Sequence, residues 1–250
     1  MARVWDRFLT EQDKQHVSAR GDRRVGFGTR PAVLNIDFFR SAFGDKNLPL
    51  IEGTKLWNAY CGPVAWQAVP HIQKLHAAAR AAGIPVMHVT GLPTEESGIP
   101  RWGDAVHRGT RNQPTDAGAR QRDARRFDII EELAPLPGEV VLKKTAPSAF
   151  YGTPLQGELT RLGIDTLLIA GESTSGCVRA SVVDAASARY RVNVIEECVF
   201  DRHEACHAIN LFDMNQKYAD VISITAALEF IDAWTKYIGG SESRKVAAQS

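Results

Sequence analysis

Short runs of apolar residues alternate with longer amphipathic stretches along most of this chain. The apolar runs predict buried strands at 32–37, 84–90, 139–144, 165–170, 191–196 and 220–224. Between them, apolar residues recur every three or four positions, which predicts helices at 64–82, 155–162, 177–189, 203–217 and 226–237. Strands that alternate with helices form a parallel sheet with helices on both faces. We therefore expect a three-layer α/β/α domain with a mainly parallel sheet of about six strands.

Three segments fall outside this alternation. Residues 1–30 are polar and mixed in charge, and their short amphipathic patch predicts either an arm that packs on another subunit or an ordinary surface helix. Residues 91–126 show little periodicity, which is typical of a lid or binding loop. The tail, 239–250, is expected to be disordered. The folded domain should span residues 31–238.

Charge and cysteine content narrow the class of protein. Charged residues make up 24% of the chain and the formal net charge is +1, so neither a nucleic-acid surface nor an acidic tail is indicated. No apolar run has the length of a membrane span, and the N-terminus lacks the apolar region of a signal peptide. The four cysteines have neither disulfide-framework nor CxxC spacing. We expect a cytoplasmic protein that binds neither nucleic acid nor membrane.

The turn after the strand at 165–170 carries the clearest chemical signal. Six small or polar residues there place Cys177 between a buried strand and a helix. The first backbone N–H groups of a helix are unpaired, which makes its N-terminus electropositive. A thiol at such a place ionises more readily, and the same N–H groups can receive an oxyanion. On this segment alone, Cys177 is either a nucleophile or an inert buried cysteine.

Two other predicted strands end in charged side chains. Asp37 ends the first strand, and Lys143 and Lys144 end the third. In an open parallel sheet, ligands bind beyond the C-terminal ends of the strands, where these groups would meet Cys177. A carboxylate there can deprotonate a thiol and later protonate a leaving amine, and a lysine can hold both anions in place. The combination predicts a site for nucleophilic catalysis.

These motifs resemble those of the isochorismatase-like cysteine hydrolases. The matching elements are Asp37, a Lys144 that stands four residues before a Ser-Ala-Phe segment, and Gly171-Glu-Ser-Thr-Ser-Gly-Cys177-Val, in that order. The resemblance implies the isochorismatase-like hydrolase fold, with a Rossmann-like sheet, and it selects Lys144 over Lys143. It also implies a catalytic triad, with Cys177 as nucleophile, Asp37 as general base and acid, and Lys144 as their electrostatic partner.

The same resemblance implies how a substrate would be held. It implies a cis peptide between Glu172 and Ser173, with the N–H groups of Ser173 and Cys177 as the oxyanion hole. Other segments resemble the amidases of the family, in which an arginine after the next strand holds the substrate carboxylate. Arg202 falls at that place, although a surface charge at a helix start is the alternative. We therefore expect hydrolysis of a linear amide or N-carbamoyl bond in a small carboxylate-bearing substrate, through a thioester and with release of ammonia.

Further implications concern metals and assembly. Some family members bind a metal through an Asp and nearby histidines, but no histidine follows Asp37 closely, so we expect no metal and no cofactor. The resemblance also implies a homo-oligomer, with a tetramer as the expected state. Glu172 places a charge where relatives often have a small or apolar residue, and segment 91–126 departs from the family pattern.

Two other functions compete with this interpretation. His203-Glu-Ala-Cys-His207 fits H-E-x-x-H, which on a helix places two histidines one turn apart for zinc. Such a zinc hydrolase needs a third ligand, and no obvious one follows at helical spacing. The second alternative is a non-catalytic small-molecule-binding protein of the same fold, since a fold does not fix function. A damaged triad would favour it, but the triad is complete in this sequence.

Overall fold

In the computed structural model, which describes residues 3–21, 24–100 and 116–247, the strands form a single parallel sheet. Its strands within the described residues are β1 (Pro31–Ile36), β2 (Val86–Gly91), β3 (Val140–Lys144), β4 (Thr166–Glu172), β5 (Arg191–Phe200) and β6 (Asp220–Ile222). Every neighbouring pair is parallel, in the order β3-β2-β1-β4-β5-β6. The predicted six-stranded parallel sheet is confirmed.

Helices cover both faces of this sheet. They are α1 (Glu11–Arg20), α2 (Arg40–Phe43), α3 (Leu50–Thr54), α4 (Pro63–Ala81), α5 (Thr94–Ser97), α6 (Ala117–Ala124), α7 (Leu155–Arg161), α8 (Arg179–Ser187), α9 (Glu204–Lys217) and α10 (Ile224–Ala247). Helices α4 and α10 pack on one face, and α7, α8 and α9 pack on the other. Successive strand residues alternate between the two cores, as Val33 and Leu34 do, because side chains of a strand point to opposite faces. None of the described helices is both long and apolar enough to cross a membrane.

The strand order reverses between β1 and β4, which are neighbours at the centre of the sheet. In sheets of this order, the crevice beyond that pair of strands is where ligands bind. Ile36 pairs with Gly171, so the chain leaves both strands at the same level. A Cβ on Gly171 would lie 2.5 Å from the carbonyl oxygen of Ile36, so only glycine allows this close approach. The pairing brings the residue after β1 next to the turn after β4.

Two boundaries differ from the sequence-based expectation by more than two residues. β5 runs to Phe200 and not to 196, because a register shift between Ile169 and Gly171 on β4 lets pairing resume farther along. Helix α10 runs to Ala247, so the structure has helix at 239–247, where we expected disorder. The two glycines at 239 and 240 each cost a helix about 1 kcal/mol relative to alanine, which weakens it without preventing it.

The two remaining irregular segments are only partly described. Segment 91–126 contains α5 and α6, and residues 101–115 lie outside the described residues, so its role as a lid stays a prediction. At the N-terminus, Trp5 is buried against the same chain, with its ring 6.1 Å from that of Phe212. Helix α1 buries no residue, as a surface helix would, and its packing on another subunit stays a prediction.

Candidate active site

Asp37 follows β1 directly and is held by the sheet. Its backbone N–H donates to the carbonyl of Val89 at 2.8 Å, and its side chain is 1% exposed. The backbone has φ 61, in the left-handed region that costs a non-glycine residue about 1–2 kcal/mol. Such strain persists where the surroundings impose it, and it is common at functional sites. Here it turns the carboxylate toward the crevice between β1 and β4.

Lys144 is the last residue of β3, and its ammonium contacts both other members of the predicted triad. Nζ lies 2.8 Å from Asp37 Oδ2 and donates to Cys177 Sγ at 3.3 Å and to the carbonyl of Ala146 at 3.1 Å. The side chain is only 4% exposed. Lys143 points the other way, is 45% exposed and pairs with Glu96. The structure thus brings Asp37, Lys144 and Cys177 together and leaves Lys143 outside the site.

The side chains of the predicted triad shift the pKa values of Lys144 and Cys177. Burial alone would lower the pKa of Lys144, but Asp37 and Cys177 outweigh it and raise that pKa above the usual range. Burial raises the pKa of the Cys177 thiol, and Asp37 raises it further, while Lys144 offsets only part of this. These shifts favour the protonated thiol, which is opposite in direction to the expectation that the position of Cys177 near a helix N-terminus favours ionisation. The Asp37 carboxylate is also a hydrogen-bond partner of the Cys177 thiol, which places it to accept the thiol proton.

The turn that carries the thiol is tight. The peptide bond between Glu172 and Ser173 is cis. The carbonyl of Ser173 accepts hydrogen bonds from the N–H groups of Gly176, at 2.9 Å, and Val178, at 3.2 Å. Gly176 has φ −111 and ψ −105, and a Cβ there would lie 2.6 Å from Ser173 Oγ. Cys177 is therefore in an irregular turn, two residues before α8 begins.

Two residues anchor this turn from the side of β5: Asp201, which the sequence analysis did not single out, and His207, which it considered only as a zinc ligand. Asp201 Oδ2 accepts hydrogen bonds from the backbone N–H of Ser175, at 2.8 Å, and from its hydroxyl, at 2.6 Å. His207 Nδ1 lies 2.9 Å from the hydroxyl of Thr174. Asp201 directly follows a strand, as Asp37 does, and that shared pattern is the signal that could have found it.

Arg202 and Glu172 form a second charged pair beside the triad. Arg202 Nη2 donates to the carbonyl of Ala59 and lies 3.6 Å from Glu172 Oε2. The Glu172 side chain is 5% exposed, and Cys61 Sγ lies 3.4 Å from its Oε2 as a donor. Burial raises the pKa of Glu172 to about 7, although Arg202 opposes the rise. Arg202 is therefore held in the interior and is not an ordinary surface charge at a helix start.

A groove of about 420 Å³ opens onto Arg202. It lies between the start of α4, the end of β5 and the start of α9, and its lining includes His71, Asp201 and Arg202. Through it a ligand can reach the guanidinium from solvent, since the Arg202 side chain is 26% exposed. Its lining combines apolar residues, such as Val199 and Phe200, with several polar and charged ones, which suits a small polar molecule.

The H-E-x-x-H segment does not form the zinc geometry that its sequence permits. His203 is the N-cap residue of α9, with an extended backbone at φ −114 and ψ 120, and its carbonyl accepts the backbone N–H of His207 at 2.9 Å. Glu204 is exposed and pairs with Arg7, while His207 is engaged by Thr174. Within the described residues there is no group of three or more His, Cys, Asp or Glu side chains that could hold a metal ion. The geometry of these residues gives the zinc hydrolase no support.

Comparison with known proteins decides the family. The Isochorismatase domain model matches residues 54–226. The chain belongs to the isochorismatase family. This member of the family is 32% identical over 223 residues to the N-carbamoylsarcosine amidase of Arthrobacter sp., a match that covers 86% of this chain and 76% of that protein. It is 36% identical over 220 residues to the maleamate amidohydrolase of Pseudomonas putida, covering 83% and 89%.

Solved structures agree with this assignment. The crystal structure of N-carbamoylsarcosine amidase from Thermoplasma acidophilum superposes with a TM-score of 0.58 and 26% identity, and the match covers 78% of this chain and 96% of that one. The predicted family, the predicted fold and the resemblance to the amidases of the family are thus confirmed.

Proposed function

We propose that this member of the isochorismatase family is a cysteine-dependent amidohydrolase. Its substrate would be a small molecule that bears a carboxylate and a linear amide or N-carbamoyl group. The observation that carries the proposal is the position of the Lys144 ammonium, in contact with both Asp37 and Cys177 at the crevice of the sheet. The two curated relatives are amidohydrolases by name, which supports the same class of reaction on a C–N bond.

In the first step, Cys177 Sγ attacks the carbonyl carbon of the substrate. Asp37 takes the thiol proton as the C–S bond forms, because burial raises the pKa of the thiol and the Asp37 carboxylate is its hydrogen-bond partner. The carbonyl π electrons move onto oxygen, and the N–H groups of Ser173 and Cys177 stabilise that charge. Lys144 stays protonated throughout and holds Asp37 and Cys177 in place.

The intermediate then collapses with cleavage of the C–N bond. Asp37 returns the proton to the departing nitrogen, which leaves as ammonia, and the acyl group remains on Cys177 as a thioester. A water molecule gives a proton to Asp37 and attacks the thioester carbonyl. The C–S bond breaks, the thiolate recovers its proton from Asp37, and the acid product leaves. None of these steps uses a metal or a cofactor.

Arg202 is proposed to bind the substrate carboxylate. Its planar guanidinium matches a carboxylate through two parallel N–H bonds, which fixes orientation as well as charge. The contacts with Ala59 and Glu172 both use Nη2, so the other nitrogens of the fork can meet a ligand that enters by the groove. We also propose that the protein acts in the cytoplasm as a homo-oligomer, with a tetramer expected by light scattering.

The test measures ammonia release from a panel of small carboxamides and N-carbamoyl amino acids, with N-carbamoylsarcosine and maleamate included. Cys177→Ala should abolish turnover with an unchanged circular dichroism spectrum, whereas Cys206→Ala, at an exposed thiol, should keep it. Mass spectrometry of acid-quenched wild type should show the added acyl mass on Cys177. Full activity in Cys177→Ala would rule out the covalent mechanism.

A further inference from the structure

Glu172 has no part in the proposed reaction steps, yet it is a buried carboxylate in the active site. It lies in the last position of β4, directly before the turn that carries the nucleophile. Its side chain is 5% exposed and faces Arg202, at 3.6 Å, and Cys61, at 3.4 Å. A buried carboxylate costs free energy unless it is paired, so its position beside the proposed substrate clamp calls for a role.

The charges of the site balance in pairs. Lys144 balances Asp37 at 2.8 Å, and Arg202 balances Glu172 at 3.6 Å. Burial raises the pKa of both nearby thiols, so Cys61 and Cys177 are neutral. Beyond these pairs, Asp201 is also buried and interacts with Arg202, so with Glu172 ionised these groups have no net positive charge to attract an anion. A substrate carboxylate at Arg202 would add a further negative charge to a buried space, where like charges repel strongly.

We propose that Glu172 sets the charge of the substrate that this site accepts: it balances Arg202 in the empty site, and a substrate carboxylate binds Arg202 only as Glu172 takes up a proton from solvent. The proton returns to solvent when the acid product leaves. This inference rests on the proposed carboxylate-bearing substrate. A neutral substrate would need no such proton, so its binding would not respond to Glu172.

Glu172 is the group in this site best placed to take the proton. The charged and titratable groups that face it are Arg202, Asp37, Cys61, Lys144 and, across the turn, Cys177. Asp37 lies in direct contact with a buried ammonium, at 2.8 Å, whereas Glu172 is farther from its own cation, at 3.6 Å. Burial raises the pKa of Glu172 to about 7, so near neutral pH an added anion is enough to protonate it. Above that pH, the dissociation constant of an acid should rise about tenfold per pH unit, and below it should level off.

The experiment is calorimetric titration of Cys177→Ala, which binds without turnover, with N-carbamoylsarcosine and with maleamate. Each titration is repeated in two buffers of different ionisation enthalpy, which gives the number of protons taken up per ligand bound. The expected uptake is close to about one proton at pH 8.5 and close to zero at pH 5.5, where Glu172 is already protonated.

Two variants on the same background identify the group. Glu172→Gln keeps the shape of the side chain and removes its charge, so uptake should vanish and affinity for the acid at pH 8.5 should improve about tenfold or more. Glu204→Gln removes an exposed carboxylate that lines the same groove, and it should leave the uptake unchanged. If Glu172→Gln does not fold, the parent titration still overturns the proposal when an acid binds at pH 8.5 without proton uptake.

The outcomes separate this inference from the proposed function. Binding of an acid without proton uptake, or uptake that survives Glu172→Gln, overturns the role of Glu172 and leaves the carboxylate substrate in place. Failure of both acids to bind at any pH overturns the carboxylate clamp together with this inference. Proton uptake that disappears in Glu172→Gln but not in Glu204→Gln supports both the carboxylate-bearing substrate and the role of Glu172.

Discussion

Lys144 and Asp37 form an ion pair of 2.8 Å in which the two side chains are only 4% and 1% exposed. Removal of one partner from such a buried pair typically costs about 3–5 kcal/mol, because the other charge is left uncompensated. The same ammonium donates to Cys177 Sγ at 3.3 Å, so the pair positions the nucleophile as well as the proton acceptor. The Lys144–Asp37 ion pair therefore contributes to the stability of the fold and also takes part in the proposed chemistry.

The first prediction uses the two adjacent lysines as a matched pair. Lys144→Met should lower kcat/KM for ammonia release by about 100-fold or more, since the buried cation that holds Asp37 and Cys177 is lost. Lys143→Met should change it by less than about twofold, because that side chain is exposed and pairs with Glu96 at the surface. Circular dichroism on both variants separates loss of folding from loss of chemistry. Equal effects at the two positions would contradict the assignment of Lys144.

Asp201 offers a second prediction, as a positioning residue for the nucleophile turn. Asp201→Asn keeps the side-chain shape but weakens the acceptor for the backbone N–H and hydroxyl of Ser175. We expect kcat to fall about tenfold with a much smaller change in KM, because the turn carries the reacting groups. Asp232→Asn, at an exposed helix carboxylate paired with Lys236, is the control and should change neither constant. A rise in KM alone would instead place Asp201 in substrate binding.

The convergence of the triad could be predicted because it depends on strand ends. Once the strand–helix alternation is read, Asp37, Lys144 and Cys177 must lie at the same edge of a parallel sheet. The alternation of strands and helices does not show that β1 and β4 are neighbours at the centre of the sheet, because strand order depends on which strands pair. Gly171 carries part of that information, since a side chain there would collide with Ile36.

The protonation states could not be predicted from position in the sequence. A helix N-terminus suggested an easily ionised Cys177, but burial and Asp37 raise the pKa of its thiol. The sequence also could not predict where the Glu172 side chain points. Its position depends on the register shift after Ile169 and on packing against Cys61 and Arg202. Both properties arise from tertiary packing of residues far apart in the chain.

A third prediction concerns stability and lies away from the site. Glu139 accepts hydrogen bonds from Arg80 at 2.8 and 2.9 Å and from buried His88 at 3.0 Å. Burial alone would raise the pKa of Glu139, but these bonds outweigh it and lower that pKa to about 2. Because the folded-state pKa lies below the unfolded one, the carboxylate stabilises the fold above about pH 4.5, and this contribution is lost as the pH falls toward 2.

Glu139→Gln should therefore lower the free energy of unfolding by about 2 kcal/mol at pH 7. The difference from wild type should shrink as the pH falls from 4.5 toward 2. Urea denaturation of both proteins at a series of pH values measures it, with Glu158→Gln, at a surface pair with Arg161, as the control. A difference that is constant with pH would mean that Glu139 acts through packing and not through its charge.

The last prediction concerns Arg202 and the kind of substrate. If its guanidinium grips a carboxylate, Arg202→Lys should lower kcat/KM for the acid by about tenfold or more, because lysine supplies the charge but not the two-pronged geometry. Arg202→Ala should be worse for the acid, yet nearly neutral for the same substrate as its methyl ester. The measurement is kcat/KM for acid and ester on wild type and both variants, with Arg161→Ala, at an exposed surface pair, as the control. The role of Arg202 in carboxylate binding would be contradicted if wild type prefers the ester, or if Arg202→Ala lowers kcat/KM equally for acid and ester. In that case Glu172 would be an anion beside a cation that serves the fold alone, and segment 91–126 would be the next place to seek specificity.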